Sequence, residues 1–160
     1  MGIAVRVLRP AELPLYLEIV GAAIRGLAVS HYSPEAIEGW APKITAHFLA
    51  ELAANADEEI RLIAELDGAP AGIAALVVGN SELRACYVRP SAARRGCGSA
   101  LVREIERLAK EHGLSRLELA GSLNAEPFYT SLGYEVREQS DVALPNGHRL
   151  PCVRMEKVLC

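Results

Sequence analysis

The chain has 160 residues, 51% of them hydrophobic, and a formal net charge of −3. That length and apolar content suit one domain, residues 1–160, with a sizeable core. The charge balance lacks the basic excess that nucleic-acid binding needs, and no apolar run reaches the roughly 18 residues of a membrane span.

Residues 3–8 alternate and predict a first strand, with no apolar leader core before it, which points to the cytoplasm. Leu13, Leu17, Val20, Ile24 and Leu27 then recur at helical spacing, the mark of a helix with one apolar face. Ser33-Pro34-Glu35 starts a second helix: a hydroxyl cap, a proline in the first turn, an acid beside the helix dipole. It carries Ile37 and Trp40 and ends before Pro42, and residues 43–55 form a further helical stretch. Residues 60–66 read as a strand, Asp67-Gly68 as a hairpin turn, and residues 73–78 as a central strand apolar on both faces. A strand over 82–88 leads into glycines and a helix over 99–112, with Leu101, Ile105 and Leu108 on one face. A strand at 117–119, a short helix over 125–132, and two strands over 134–143 and 149–158 around Pro145-Asn146-Gly147 complete the chain. The expected order is β-α-α-β-β-β-α-β-α-β-β, an α/β fold around a mixed sheet of about seven strands flanked by helices.

The chemistry concentrates where the 82–88 strand meets the glycines. Gly96-Cys97-Gly98 opens a helix directly. Glycines let backbone N–H groups approach a ligand closely, and a helix N-terminus adds unpaired donors with partial positive charge. Together they make a seat for a phosphate or pyrophosphate. A nucleoside-triphosphate loop needs a lysine after its glycines, and none follows. A dinucleotide fingerprint is closer, since the segment begins Gly-x-Gly and Glu118 lies about 20 residues on. However, Leu101 replaces its third glycine, and residues 89–95 separate strand from glycines. The four cysteines, Cys86, Cys97, Cys152 and Cys160, lack metal-ligand spacing, so no metal is expected.

The run Ala93-Arg94-Arg95-Gly96-Cys97-Gly98 resembles the cofactor loop of the GCN5-related N-acetyltransferase superfamily, [Arg/Gln]-x-x-Gly-x-[Gly/Ala]. Ala93 departs from that pattern at its leading position, with Arg94 and Arg95 adjacent. A second segment, residues 122–134, is similar to the family's Asn-x-x-Ala-x-x-Phe-Tyr-x-x-x-Gly-Phe helix. Ala125, Phe128, Tyr129 and Gly133 match; Ser122 takes the Asn position, with Asn124 two residues on as a substitute.

The resemblance implies an N-acetyltransferase that uses acetyl-CoA as co-substrate. The pyrophosphate would rest on the amides of Arg94, Arg95, Gly96, Cys97, Gly98 and Ser99. The pantetheine arm would run beside Cys86, Tyr87 and Val88 with Asn124 nearby, and the Val88 N–H would polarise the thioester carbonyl. Tyr129 takes the family's role of proton donor to the thiolate, suited by a phenol's ordinary pKa of about 10. For the base, Glu82 is the first candidate, placed by strand alternation on the face of Arg84, Cys86 and Val88, and Glu118 is the second. Either acid could instead be a strand-end charge. His31, Tyr32 and Trp40 on one side, and Asp141, His148 and Arg149 on the other, would border an acceptor pocket for a small-molecule amine. A Cys86 or Cys97 acyl carrier is disfavoured because no histidine base pairs with either. Family habit extends the expectation to a homodimer. The alternatives are a CoA-binding sensor domain that has lost catalysis and, more remotely, an NAD-binding protein.

Overall fold

The computed structural model describes residues 2–160. In chain order its elements are β1 (Ile3–Val7), α1 (Leu13–Leu27), α2 (Pro34–Trp40), α3 (Ala46–Ala54), β2 (Ile60–Leu66), β3 (Ala69–Val77), β4 (Glu82–Val88), α4 (Cys97–Glu111), β5 (Arg116–Ser122), α5 (Glu126–Ser131), β6 (Glu135–Ala143) and β7 (Arg149–Val158). Short 3-10 turns at Pro10–Glu12, Val78–Asn80 and Pro90–Ala92 join some of them. The seven strands form one sheet in the order β1-β2-β3-β4-β5-β7-β6, as the α/β reading expects. Every neighbouring pair is antiparallel except β4 and β5.

The expected order is short by one helix. Ala41 is extended and ends α2, and Thr45 then opens a separate α3 by accepting the Phe48 amide at 3.3 Å. Ser33 caps α2 as read, accepting from the Ala36 amide at 3.1 Å. The strand expected from residue 73 begins at Ala69, because hairpin pairing runs to the turn, with Leu66 opposite Ala69.

Two apolar layers sandwich the sheet. On one face α4 buries Leu101, Val102 and Ile105 against Leu62, Leu76, Leu117 and Met155. On the other, α1 buries Ile19 and Ile24 against Ile63 and Ile73. The central strand β3 is covered on both sides, with Ile73, Ala74, Ala75 and Leu76 all inaccessible. Ile73 and Leu76 each contribute about 1.5–3 kcal/mol by leaving water. The edge strand β6 is exposed along its whole length.

The sheet is interrupted at the β4–β5 junction. These parallel strands pair at Glu82 and Glu118, where the Glu118 amide donates to Ser81 O at 2.8 Å. Beyond that point they diverge, leaving the C-terminal half of β4 with an open backbone edge.

Candidate active site

The divergence opens a cleft of about 690 Å³. Arg94, Gly96, Gly98 and Ser99 line one end, Cys86, Tyr87 and Val88 one side, and Asn124 and Tyr129 the other. Nine of the residues singled out from the sequence therefore meet in one space. Arg95 is exposed outside the lining, and Cys97 turns into the core beneath α4. Glu82 also lies outside, in an adjoining cavity of about 330 Å³ that shares Ala120, Val142 and Cys152 with the cleft.

The start of α4 has the character of an anion seat. Arg94 and Gly96 both adopt left-handed backbone, with φ of 62° and 94°. Glycine takes that conformation without strain. No side chain caps the helix. Among the described residues, the amides of Gly96, Cys97, Gly98 and Ser99 find no acceptor; the ladder begins with Ala100 donating to Gly96 O at 3.0 Å. These are the orphan donors of a helix end, at its positive pole. A Cβ on Gly98 would lie 3.0 Å from the Phe128 ring, so glycine is what lets α5 approach the loop.

Tyr129 stands on the wall that faces β4. It is 6% exposed, with its ring edge-on to Phe128 and Tyr134 at 5.1 and 5.9 Å. Its hydroxyl makes no hydrogen bond to any described residue. Burial, reinforced by Cys86, Tyr87 and Tyr134, holds the phenol well above its usual pKa, so it stays protonated. Burial likewise pushes the Cys86 thiol up to about 12, which leaves it a poor nucleophile. One buried side-chain acceptor, Asn124 Oδ1, has no donor. Such a group is costly unless a ligand satisfies it.

The face assigned to Glu82 needs correction. Ala75 faces Ala85 and the next β3 residue, Leu76, faces Leu83, so Arg84 is an extra residue in β4. The bulge resets the alternation. Cys86 and Val88 pack with the α4-side core, whereas Glu82 falls on the side of Ala85 and Tyr87. Arg84 Nη2 donates to Glu82 Oε1 at 3.0 Å. Glu118, opposite Glu82, lines the adjoining cavity and sits 3.9 Å from Arg116.

Of the acceptor-side residues, His31 and Trp40 line the cleft, while Asp141 lines the adjoining cavity in an ion pair with Arg149. Trp40 stacks edge-on with Tyr32 and Tyr87 at 5.5 and 6.3 Å. The Tyr32 hydroxyl donates to Pro151 O at 2.5 Å and accepts from the Leu123 amide at 2.8 Å, tying the α1–α2 loop to β7 and to the segment that follows β5. Not expected at the site from the sequence are Ile24 and Leu27 of α1, Ala28 just after it, and Leu150 of β7, which close the apolar side. Their apolar pattern reads as core, and only the open β4–β5 gap turns them toward a ligand.

A family profile described as acetyltransferase (GNAT) domain matches residues 28–159. Among solved structures, a GCN5-related N-acetyltransferase from Rhodopseudomonas palustris is 32% identical, with a TM-score of 0.90 over 99% of this chain and 97% of that one. The PaiA N-acetyltransferase from Thermoplasma acidophilum, in complex with coenzyme A, is 22% identical, with a TM-score of 0.78 over 99% of each chain. A phosphinothricin acetyltransferase of the same superfamily from Sinorhizobium meliloti, in complex with acetyl-CoA, is 19% identical, with a TM-score of 0.71 over 99% of this chain and 89% of that one. No curated protein matches the sequence.

Proposed function

This chain belongs to the GNAT acetyltransferase family, with acetyl-CoA as co-substrate, and we propose that it transfers the acetyl group to a small primary amine by direct attack inside the cleft. The observation that carries this is one continuous cleft bordered both by the four orphan amides that open α4 and by a buried phenol with an unbonded hydroxyl.

The pyrophosphate takes the amides of Gly96 to Ser99, with Arg94 and Arg95 adding charge. The pantetheine arm lies along the open edge of Cys86, Tyr87 and Val88, and Asn124 Oδ1 accepts one of its donors. The Val88 N–H polarises the thioester carbonyl and holds the oxyanion as the amine adds. When the tetrahedral centre collapses, the C–S bond breaks and Tyr129 gives its proton to the thiolate. The amine must attack as the free base. Glu82, with Glu118 beside it, takes the amine's proton through water across the wall shared by the two cavities. No cysteine carries the acyl group, in keeping with the raised Cys86 pKa. The whole of 1–160 acts as one catalytic domain in the cytoplasm. A homodimer would use β6, whose nine residues are all exposed.

The test is thiol release from acetyl-CoA in the presence of a panel of primary amines, diamines and amino acids. Turnover with at least one member supports the proposal. Saturable acetyl-CoA binding with no release across the panel would favour the silent CoA-binding domain.

A further inference from the structure

Arg84 has no part in the chemistry above, yet its placement is specific. It is the residue inserted by the β4 bulge, and it lines the cleft while Glu82 lines the neighbouring cavity. Its guanidinium spans two carboxylates, with Nη2 to Glu82 at 3.0 Å and Nη1 to Glu59 at 3.2 Å. Glu59 is itself buried and bound by Arg61 Nε at 2.8 Å, and Arg61 donates onward to Leu52 O at 2.8 Å. Arg84 thus joins Glu82 to a buried, doubly anchored pair. Asn80 Nδ2 adds a longer contact to the same Glu82 oxygen at 3.5 Å.

Two consequences meet at this residue. Without the inserted Arg84, regular alternation would turn Glu82 into the α4-side core. With it, Glu82 faces the adjoining cavity, and the guanidinium fixes which oxygen is engaged and which is left for a proton. A carboxylate on a flexible stem otherwise spreads over several rotamers, and holding a reacting group in place is where much rate enhancement originates.

We infer that Arg84 is a positioning residue for Glu82, a strut between the buried Glu59–Arg61 pair and the carboxylate that receives the acceptor's proton. This rests on the assignment of Glu82 under the proposed function. Arg84 is 41% exposed at its side chain, so its replacement does not empty the core.

The test compares Arg84→Gln, Arg84→Lys, Glu82→Gln and the Glu82→Gln/Arg84→Gln double variant, with acetyl-CoA and the amine of highest turnover in the panel. R84Q is expected to lower kcat about tenfold while the KM for acetyl-CoA stays within about twofold. R84K recovers most of the loss, and the double variant is no slower than E82Q alone. Unchanged kcat in R84Q, or losses that multiply in the double variant, would overturn the inference while leaving Glu82 in its role. Full activity of E82Q would instead remove the Glu82 assignment itself. Carbon-13 relaxation of the Glu82 side chain reads the positioning without turnover. Greater mobility in R84Q, reversed in R84K, supports the strut, and an unchanged order parameter contradicts it.

Discussion

Replacing Tyr32 with Phe tests how the cleft is held open. The ring would stay, 5.5 Å edge-on from Trp40, so no cavity forms and packing is conserved. What goes is one oxygen that donates to Pro151 O at 2.5 Å and accepts from the Leu123 amide at 2.8 Å. Both partners are then left without their bond in a site where Tyr32 is only 8% exposed. An unsatisfied buried group costs about 1–3 kcal/mol. Leu123 is half-buried, so water can compensate in part, and the combined loss is about 2 kcal/mol. For a domain of this size that lowers Tm by about 4–8 °C. Thermal unfolding followed by circular dichroism measures it, with acceptor KM as a second readout because the bridge ties the α1–α2 loop, which carries His31 of the cleft lining, to β7 and the end of β5. A Tm within about 1 °C of the parent would refute the bridge as a stabilising element.

Three further outcomes follow from named contacts. The Arg6 guanidinium grips Glu12 through two bonds of 2.9 and 2.7 Å and holds its pKa down to about 2, helped by the Arg9 amide. A depressed carboxylate pKa stabilises the fold above the unfolded value of about 4.5 and loses that contribution as pH falls toward 2. The parent should therefore melt above Glu12→Gln at pH 6 and converge with it on acidification; a pH-independent gap contradicts this. Cys86→Ala should keep most of the turnover, and peptide mass spectrometry after mixing with acetyl-CoA should find no acetylated cysteine; an acetyl-Cys86 peptide would replace direct transfer with a two-step path. Gly98→Val should weaken acetyl-CoA binding at least about tenfold, about 1.4 kcal/mol, because its side chain meets Phe128 already at the Cβ, 3.0 Å away; unchanged affinity by calorimetry would remove the loop from the binding site.

Local signals carried much of this architecture. The strands at 60–66 and 82–88 coincide with β2 and β4 because their ends are marked by turn residues and Pro90. Ser33 forms the cap its chemistry favours. Tyr129 and the glycines meet in the cleft because both motifs flank the diverging strands. What was not legible depends on pairing. The Arg84 bulge arises from the register between β3 and β4, which no pattern within residues 82–88 reveals, and it moved Glu82 to the opposite face. Ile24 and Leu27 of α1, with Ala28 just after it, look like any buried stripe until β4 and β5 separate above them. The extra helix, α3, was visible as a helical stretch, but its independence rests on the extended Ala41 and the Thr45 cap.

The central claim is that a buried, protonated Tyr129 delivers the proton that lets the thiolate leave. Tyr129→Phe removes one oxygen and nothing that packs against Phe128 or Tyr134. Single-turnover acetyl transfer, measured beside acetyl-CoA affinity for the same variant, separates chemistry from binding. The account predicts that kcat falls about 100-fold or more while Kd for acetyl-CoA stays within about twofold. An unchanged kcat, or a loss confined to Kd, would contradict it.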